Sequence, residues 1–228
     1  MIDLHAHVLP GIDDGPATLE DSLALLRTME AQGVRTVITG AHTLDGKYNA
    51  TREAVIAATD LVNAELRRGG HAITVLPGME LYLGFDLLRA LRSGAVMGLN
   101  QSRHILVELP HREFPMYTER ALFEVMIAGF RPILNHPERN AEIRRRPELM
   151  YRLADKGVPA LVTAASLLGR FGAESQALAE EFVREGVAPY ICSDAHDLKG
   201  RAPLLADGLA AAKAFGKLDQ AAEAALLS

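Results

Sequence analysis

The sequence opens with Ile2-Asp3-Leu4-His5-Ala6-His7, a short apolar stretch that carries two histidines two residues apart. Side chains alternate along a β-strand, so residues at positions i and i+2 project from the same face. His5 and His7 can therefore bind one metal ion, or two adjacent ions, from a single strand. A His-x-His pair alone is more often without metal than with it, so this interpretation depends on the later segments.

The composition is that of a globular protein rather than a nucleic-acid or membrane protein. The 228 residues, 49% hydrophobic and 23% charged, suit one α/β domain spanning residues 1–228. The net charge of −5 argues against a general nucleic-acid or membrane-surface binder. We see no bilayer-spanning run and no secretory signal, and we therefore expect a cytoplasmic protein without membrane insertion. The single cysteine, Cys192, excludes an intramolecular disulfide.

Apolar strands alternate with helical patterns along the chain. We predict seven strands, at residues 2–5, 34–39, 73–76, 104–109, 132–135, 160–163 and 189–192. Helices are predicted between most of them, and a last Ala- and Leu-rich helical region begins near residue 203. This alternation predicts a parallel sheet with right-handed crossovers. Seven units without an obvious edge favour a closed barrel, one strand short of the common eight. An open doubly wound sheet is the alternative, although no Gly-x-Gly-x-x-Gly follows a strand.

Metal-binding residue types follow most of these strands at the carboxyl end. In chain order they are His5, His7, Asp13-Asp14, His42, Glu80, Glu108, His136, Asp194 and His196. In a barrel these strand ends converge on one face. Each residue alone could be a polar loop residue, except that Glu108 lies within an apolar strand, where an unpaired carboxylate is costly. The other histidines, His71, His104 and His111, lie at strand starts or in loops and are not assigned to the site.

Five histidines and about four carboxylates exceed what one ion requires. They suit two or three ions that share bridging carboxylates, and the absence of thiolates favours Mn²⁺, Fe or Zn²⁺. Such a cluster activates water and holds the oxygens of an in-line displacement, so phosphoester hydrolysis is the predicted reaction class. Arg139 and Arg201 follow two of the candidate ligands closely in sequence and could bind the phosphoryl group. The alternative for each arginine is a surface salt bridge.

Taken together, these motifs resemble the polymerase-and-histidinol-phosphatase (PHP) superfamily, and most closely its bacterial manganese-dependent protein-tyrosine phosphatases of capsule and exopolysaccharide loci. The resemblance runs from residue 1 to about residue 203. Its hallmarks are Ile2-Asp3-Leu4-His5-Ala6-His7, Ile12-Asp13-Asp14-Gly15-Pro16, Gly78-Met79-Glu80, His136-Pro137-Glu138-Arg139 and the run from Ser193-Asp194 to Arg201.

The resemblance implies a distorted (β/α)7 barrel of the PHP type with a three-metal, usually manganese, site. By position it selects Asp14 rather than Asp13 as a ligand and matches Arg139 and Arg201 to phosphate-binding arginines. The implied partner is a phosphotyrosine protein, typically the tyrosine-rich tail of a cognate bacterial kinase. The sequence departs from the family pattern at Thr43, Asn140 and Thr163. These departures leave the ligand set intact and bear on substrate preference. The sequence does not indicate the oligomeric state.

Three other functions are compatible with parts of this pattern. One is a PHP phosphatase that acts on a small molecule, such as histidinol phosphate or a nucleotide. Another is an amidohydrolase-type barrel, which also begins with His-x-His. That class commonly uses a lysine on its fourth strand, yet no lysine lies between Lys47 and Lys156. The third is a non-catalytic domain in which bound metal stabilises a protein-binding surface.

Overall fold

The computed structural model describes residues 1–215 as a parallel α/β structure. Its strands are β1 (Ile2–Ala6), β2 (Thr36–Thr39), β3 (Ala41–Thr43), β4 (Thr74–Leu76), β5 (Met79–Tyr82), β6 (His104–Glu108), β7 (Arg131–Asn135), β8 (Ala160–Thr163) and β9 (Tyr190–Cys192). Its helices are α1 (Leu19–Ala31), α2 (Arg52–Arg68), α3 (Leu87–Ser93), α4 (Thr118–Ile127), α5 (Ala141–Arg145), α6 (Glu148–Asp155), α7 (Ala164–Leu167), α8 (Ala173–Arg184) and α9 (Leu205–Ala212). The remainder of the predicted last helical region, beyond residue 215, lies outside the described residues.

The sequence predicts seven strands, and the structure has nine because two of them are interrupted. Gly40 separates β2 from β3, and Pro77-Gly78 separates β4 from β5. The amino-terminal segments β2 and β4 form a three-stranded sheet with β1, in the order β1-β2-β4. The carboxyl-terminal segments β3 and β5 belong to a six-stranded sheet, in the order β3-β5-β6-β7-β8-β9. Followed through the two breaks, the order is sequential and every pairing is parallel. The predicted parallel α/β architecture of seven units is thus confirmed, and the strand count is corrected.

The first and last strands meet at their carboxyl ends. The amide of Asp194 donates to the carbonyl of His5 at 3.0 Å, and the amide of His7 donates to the carbonyl of Ala195 at 2.8 Å. Within residues 1–215, no strand ladder joins β1 to β9. The barrel expected from the sequence is therefore connected at this seam by two hydrogen bonds and not by continuous strand pairing.

The side chains enclosed by the strands form an apolar layer below a polar one. The apolar layer consists of Leu4, Ile38, Leu99, Leu106, Ile133, Leu161 and Cys192. Two residues further towards the carboxyl end, Glu108 follows Leu106, Asn135 follows Ile133, and Asp194 follows Cys192. Alternation along β6 and β7 keeps the first two pairs on the same face, whereas Asp194 lies beyond the end of β9. The apolar layer therefore supports a polar layer at the carboxyl ends.

A second, larger apolar core lies between the strands and the surrounding helices. Val37, Val75, Val107 and Leu134 face it from the strands and pack with buried residues of the helices. Thr18 caps α1 by accepting a hydrogen bond from the amide of Asp21 at 3.2 Å. Every helix among the described residues is too short or too polar to span a bilayer.

Candidate metal centre

The structure brings all nine predicted ligand residues to the carboxyl ends of the strands. His5 and His7 point to the same centre although Leu4 also faces the enclosed apolar layer. A register irregularity between Asp3 and Ala6 explains this, because it shifts the alternation of side chains within β1. His5 and His7 thus face the same centre, and the interrupted alternation concerns the adjacent Leu4 and His5.

A first group of candidate ligand atoms comes from β1, β5 and the segment after β9. The Nε2 atom of His5 lies 3.2 Å from Oδ1 of Asp194 and 3.5 Å from Oε2 of Glu80. The Nε2 atom of His7 lies 3.6 Å and 3.5 Å from the same two oxygens. All four side chains are buried. Two imidazoles and two carboxylates around one point form a suitable donor set for a divalent cation.

Two further groups adjoin the first and share residues with it. Glu80 Oε1 and Glu108 Oε1 lie 3.1 Å and 3.6 Å from Nε2 of His136. Asp14 Oδ1 lies 3.3 Å from Nε2 of His196 and 3.6 Å from Nε2 of His42. His7 also lies close to Asp14, His42 and His196, and His42 lies close to Glu80 and Glu108. His7, His42 and Glu80 therefore each belong to more than one group, as expected for ligands that serve adjacent ions. The residues thus form a continuous cluster that can hold two or three ions.

Several buried polar atoms within this cluster lack a hydrogen-bond partner. They are Nε2 of His7, Oε2 of Glu80, Oδ1 of Asp194 and Nε2 of His196. Leaving one such atom unsatisfied in a protein interior costs about 1–3 kcal/mol. Their concentration at one point is unfavourable for a protein alone, but it suits a site in which each atom donates a lone pair to a cation. The residues present therefore fit a multinuclear metal centre.

The charges in the cluster also favour cations. Burial, together with the carboxylates of Glu80 and Asp194, raises the pKa of Glu108 above its usual value. Burial opposes ionisation of Asp194 too, but His5 and the nearby arginines hold its pKa well below the usual range. Burial and the charge of Arg139 lower the pKa of His136 to about 4, which leaves this imidazole neutral and able to bind a metal.

Asp13 and Asp14 have different positions despite being adjacent. Asp14 projects into the cluster, whereas Oδ2 of Asp13 contacts Nδ1 of His7 at 2.7 Å, on the side of the ring opposite Nε2. The same Asp13 oxygen accepts a hydrogen bond from the amide of His42 at 3.1 Å. Burial disfavours a charged His7 ring, but Asp13 raises its pKa to about 10, so a cation at Nε2 would displace a proton. Asp13 thus orients His7 and fixes the backbone of His42.

Two candidate ligands adopt unusual backbone conformations. His136 has φ of 33° and directly follows β7, and Asp194 has φ of 52° and lies two residues after the end of β9. Left-handed conformations are uncommon for residues other than glycine, and they occur frequently at functional sites. They turn these two side chains towards the centre at points where a continued strand would carry them past it.

Arg139 and Arg201 converge on one oxygen beside the cluster. An Nη1 donor of Arg139 lies 2.5 Å from Oδ2 of Asp194, and an Nη2 donor of Arg201 lies 2.7 Å from the same atom. Each guanidinium has five N–H donors, so this contact leaves most of them available. The buried Nε of Arg201 has no hydrogen-bond partner. Neither arginine forms the simple surface salt bridge considered from the sequence.

Asn135 was not recognised as a site residue in the sequence, and it lies within the cluster. Its Nδ2 donates to Oε1 of Glu80 and lies 3.2 Å from Nε2 of His5. The only available indication was its position two residues beyond Ile133 on the same face of β7. His111, which the sequence did not assign to the site, lies at its rim with Nε2 at 3.8 Å from Oε1 of Glu108.

The three residues that depart from the family pattern form hydrogen bonds that stabilise the segments around the cluster. Thr43 donates to the carbonyl of Ala50 at 3.0 Å and closes the loop after β3. Asn140 caps α5 and donates to the carbonyls of residues 110 and 113. The amide and hydroxyl of Thr163 both donate to Oε1 of Glu138. None of the three replaces a candidate ligand.

Comparisons with known proteins agree with this geometry. A family model described as capsular polysaccharide synthesis, CpsB/CapC, matches residues 1–226. The chain is 36% identical over 201 residues to the tyrosine-protein phosphatase YwqE of Bacillus subtilis (strain 168), covering 88% of this chain and 79% of that protein. It is 32% identical over 203 residues to the putative tyrosine-protein phosphatase CapC of Staphylococcus aureus, with the same two coverages.

A solved structure is similar over the whole chain. It comes from work on YwqE of Bacillus subtilis and CpsB of Streptococcus pneumoniae, described as unique metal-dependent tyrosine phosphatases. The match has a TM-score of 0.94 and 35% sequence identity, and it covers 100% of this chain and 94% of the other. The fold expected from the resemblance is therefore confirmed, and the relatives support a phosphatase over an amidohydrolase or a non-catalytic domain.

Proposed function

Because the chain belongs to the CpsB/CapC family of capsular polysaccharide synthesis proteins, we propose that it is a metal-dependent protein-tyrosine phosphatase. The observation that carries this proposal is the convergence of nine potential ligands and two arginines on one largely buried cluster, in which Asp14 is the exposed member. The relatives named as tyrosine-protein phosphatases support the substrate class. The reaction is hydrolysis of a phosphoric monoester, in which a phenolate leaves from phosphorus as water adds.

The proposed ligands are His5, His7, Asp14, His42, Glu80, Glu108, His136, Asp194 and His196. When bound there, metal ions would lower the pKa of water and neutralise charge on the phosphoryl oxygens. Glu80 lies between two of the ligand groups, so its two oxygens suit a bridging role. Asp13 and Asn135 hold the rings and carboxylates in place and so keep the cluster ready for binding.

In this proposal Arg139 and Arg201 bind the phosphoryl group. Their guanidinium groups donate to Oδ2 of Asp194, whereas Oδ1 of the same carboxylate lies near His5 and His7, so the two arginines adjoin the candidate ligands and retain donors for a phosphoryl group. Planar guanidinium donors pair bidentately with phosphoryl oxygens and stabilise charge that grows in the transition state. Tyrosine has an ordinary pKa of about 10, so its phenolate departs more readily than an alkoxide.

Three finer points belong to the same proposal. We assign Mn²⁺ as the physiological metal, with two or three ions per chain and with Fe or Zn²⁺ as alternatives, because imidazole and carboxylate ligands suit all three. We assign the substrate as a phosphotyrosine protein, namely the tail of a cognate bacterial tyrosine kinase. We place this reaction in the cytoplasm. The second and third points are supported by the family membership and not by the geometry.

A phosphatase assay after chelation tests the proposal. Stripped protein is supplied separately with Mn²⁺, Fe²⁺ and Zn²⁺ and is offered a phosphotyrosine peptide and histidinol phosphate. We expect metal-restored turnover with preference for the peptide, whereas a strong preference for histidinol phosphate would indicate a small-molecule phosphatase. Failure of every metal to restore hydrolysis of any phosphoester would refute the proposed chemistry.

Three variants assign roles within the site. His5→Ala and His7→Ala should abolish turnover while the fold is retained. Arg139→Ala should retain metal but lower kcat/KM by about 10²-fold, a typical effect of removing one donor to a developing negative charge. Arg67→Ala, at an exposed position at the end of α2, is the matched control and should behave as the unmodified protein. Full activity of both histidine variants would contradict the ligand assignment.

A further inference from the structure

A pocket of about 180 Å³ is lined by Arg201 and by Phe171, whose ring contacts Arg139. Its lining includes Asp194 of the metal cluster and Arg201 beside it, together with Arg170 and Phe171 from the turn after α7. The remaining lining residues are Ala165, Ser193, Lys199, Gly200, Ala202 and Leu204. The pocket therefore combines an aromatic side chain, several small or apolar residues and three basic side chains, those of Arg170, Lys199 and Arg201.

Phe171 is held over this pocket by a defined turn at the end of α7. The amide of Arg170 donates to the carbonyl of Ala165 at 2.9 Å, and Gly169 has φ of +73°, which side-chain-bearing residues rarely adopt. The amide of Gly172 then donates to the carbonyl of Gly169 at 3.1 Å. These bonds present the Phe171 ring to the pocket with 38% of the residue surface exposed.

The Phe171 ring also contacts one of the proposed phosphate-binding groups. The guanidinium of Arg139 lies over the ring, 4.4 Å from its centroid. A cation over an aromatic face is a favourable arrangement. This contact also places the Phe171 ring directly beside Arg139, whose donors would hold the phosphoryl group. A flat aryl group attached to such a phosphoryl oxygen would lie in the pocket, against the exposed part of Phe171.

We propose that Phe171, stacked on Arg139, forms the aromatic wall against which the phenyl ring of the phosphotyrosine substrate packs. This inference rests on the proposed function and specifies how the same site selects aryl over alkyl phosphates. Both kinds of ester present the same phosphoryl group to Arg139 and Arg201. Only the aryl ester has a π-face that can pack against Phe171 and displace water from the apolar lining.

Binding of two phosphonates to the metal-loaded protein tests this inference without turnover. Phenylphosphonate and methylphosphonate share the anionic group and differ in the ring, and calorimetry gives the affinity of each. For Phe171→Ala we expect the preference for phenylphosphonate over methylphosphonate to fall about fivefold, the effect of one aromatic contact. Phe171→Tyr keeps the ring and should restore the preference. Phe123→Ala, an exposed phenylalanine of α4 outside the pocket, is the matched control.

The outcomes separate this inference from the proposed function. If Phe171→Ala weakens both phosphonates equally, the ring acts only by supporting Arg139, and the aromatic wall is refuted. An unchanged preference refutes it as well. If the unmodified protein binds the phosphonates with the expected preference but hydrolyses no phosphotyrosine peptide with any metal, the proposed function fails and the ring-binding pocket does not.

Discussion

Replacing Gly40 with alanine should displace His5 and weaken the metal centre. Gly40 interrupts the second strand between β2 and β3, and its amide donates to the carbonyl of Ala6 at 3.0 Å. A Cβ at this position would lie 1.9 Å from Nδ1 and 2.0 Å from Cε1 of His5. The φ of Gly40 lies outside the left-handed region, so the cost of alanine here is steric and not conformational.

The size of the effect follows from this overlap. Ordinary van der Waals contact begins near 3.4 Å, so the ring or the strand must retreat by about 1.5 Å in an interior packed without spare space. His5 is fully buried and cannot rotate into solvent. Forcing extra volume into such a core typically costs about 1–3 kcal/mol of folding free energy. A shift of this size at a ligand, comparable to removing a supporting contact, should lower metal affinity about 10- to 100-fold.

Two measurements separate the two parts of this prediction. Urea unfolding of the stripped protein reports the change in folding free energy, and Mn²⁺ titration reports the change in affinity. Gly84→Ala is the matched control, because a Cβ there meets no atom within 4 Å and the φ of Gly84 is not left-handed. The free energy of unfolding of the Gly84→Ala control should remain within about 0.5 kcal/mol of that of the unmodified protein. Unchanged Mn²⁺ affinity of the Gly40→Ala variant would refute the argument that Gly40 exists to admit His5.

Other perturbations test separate parts of the structure. Asp13→Asn should lower Mn²⁺ affinity about tenfold in a titration, because it removes the charge that orients His7; unchanged affinity would limit Asp13 to fixing its loop. Chelation should lower the thermal unfolding midpoint, and an ion at 100 times its Kd should restore about 2.7 kcal/mol per site, so equal melting curves would exclude a structural contribution from metal. Hydrogen bonds from Lys156 and Arg152 lower the pKa of Glu119, which links α4 to α6. The ionised form is favoured in the folded state, so its stabilisation is present above the ordinary pKa of 4.5 and is lost as the pH falls. Denaturant unfolding of Glu119→Gln should therefore show a deficit of less than about 1 kcal/mol in folding free energy at pH 7 that diminishes as the pH is lowered below 4.5, and a constant deficit would contradict this origin.

The ligand positions were predictable because a parallel sheet imposes a simple rule. Strands that run in one direction bring their carboxyl ends to one edge, so residues far apart in sequence converge if each follows its strand. The rule succeeds for Glu108, because a carboxylate two residues after a buried leucine keeps the same inward direction. It also succeeds for Glu80, which pairs in register with Leu106 across β5 and β6.

The same rule cannot distinguish residues that lie near the site but have different tasks. Asp13 and Asp14 are adjacent and chemically identical, and only the path of the loop decides that one supports His7 and the other enters the cluster. Composition gave no reason to select Phe171, because its position depends on the turn after α7 and on the distant Arg139. Such assignments depend on tertiary contacts, which no local pattern contains.

The interrupted strands and the left-handed residues share one cause. It explains both the higher strand count and the departure of the site from regular strand geometry. Gly40 ends one strand segment because His5 occupies the space beside it. Asp194 leaves the strand conformation with φ of 52°, and this turn directs Oδ1 to His5 and Oδ2 to the arginines. His136 departs similarly with φ of 33° and meets Glu80. Regular strands would satisfy the backbone better, but they would not aim these side chains at one point. The irregularities are therefore explained by the metal-binding geometry, and sequence propensities, which describe regular elements, could not reveal them.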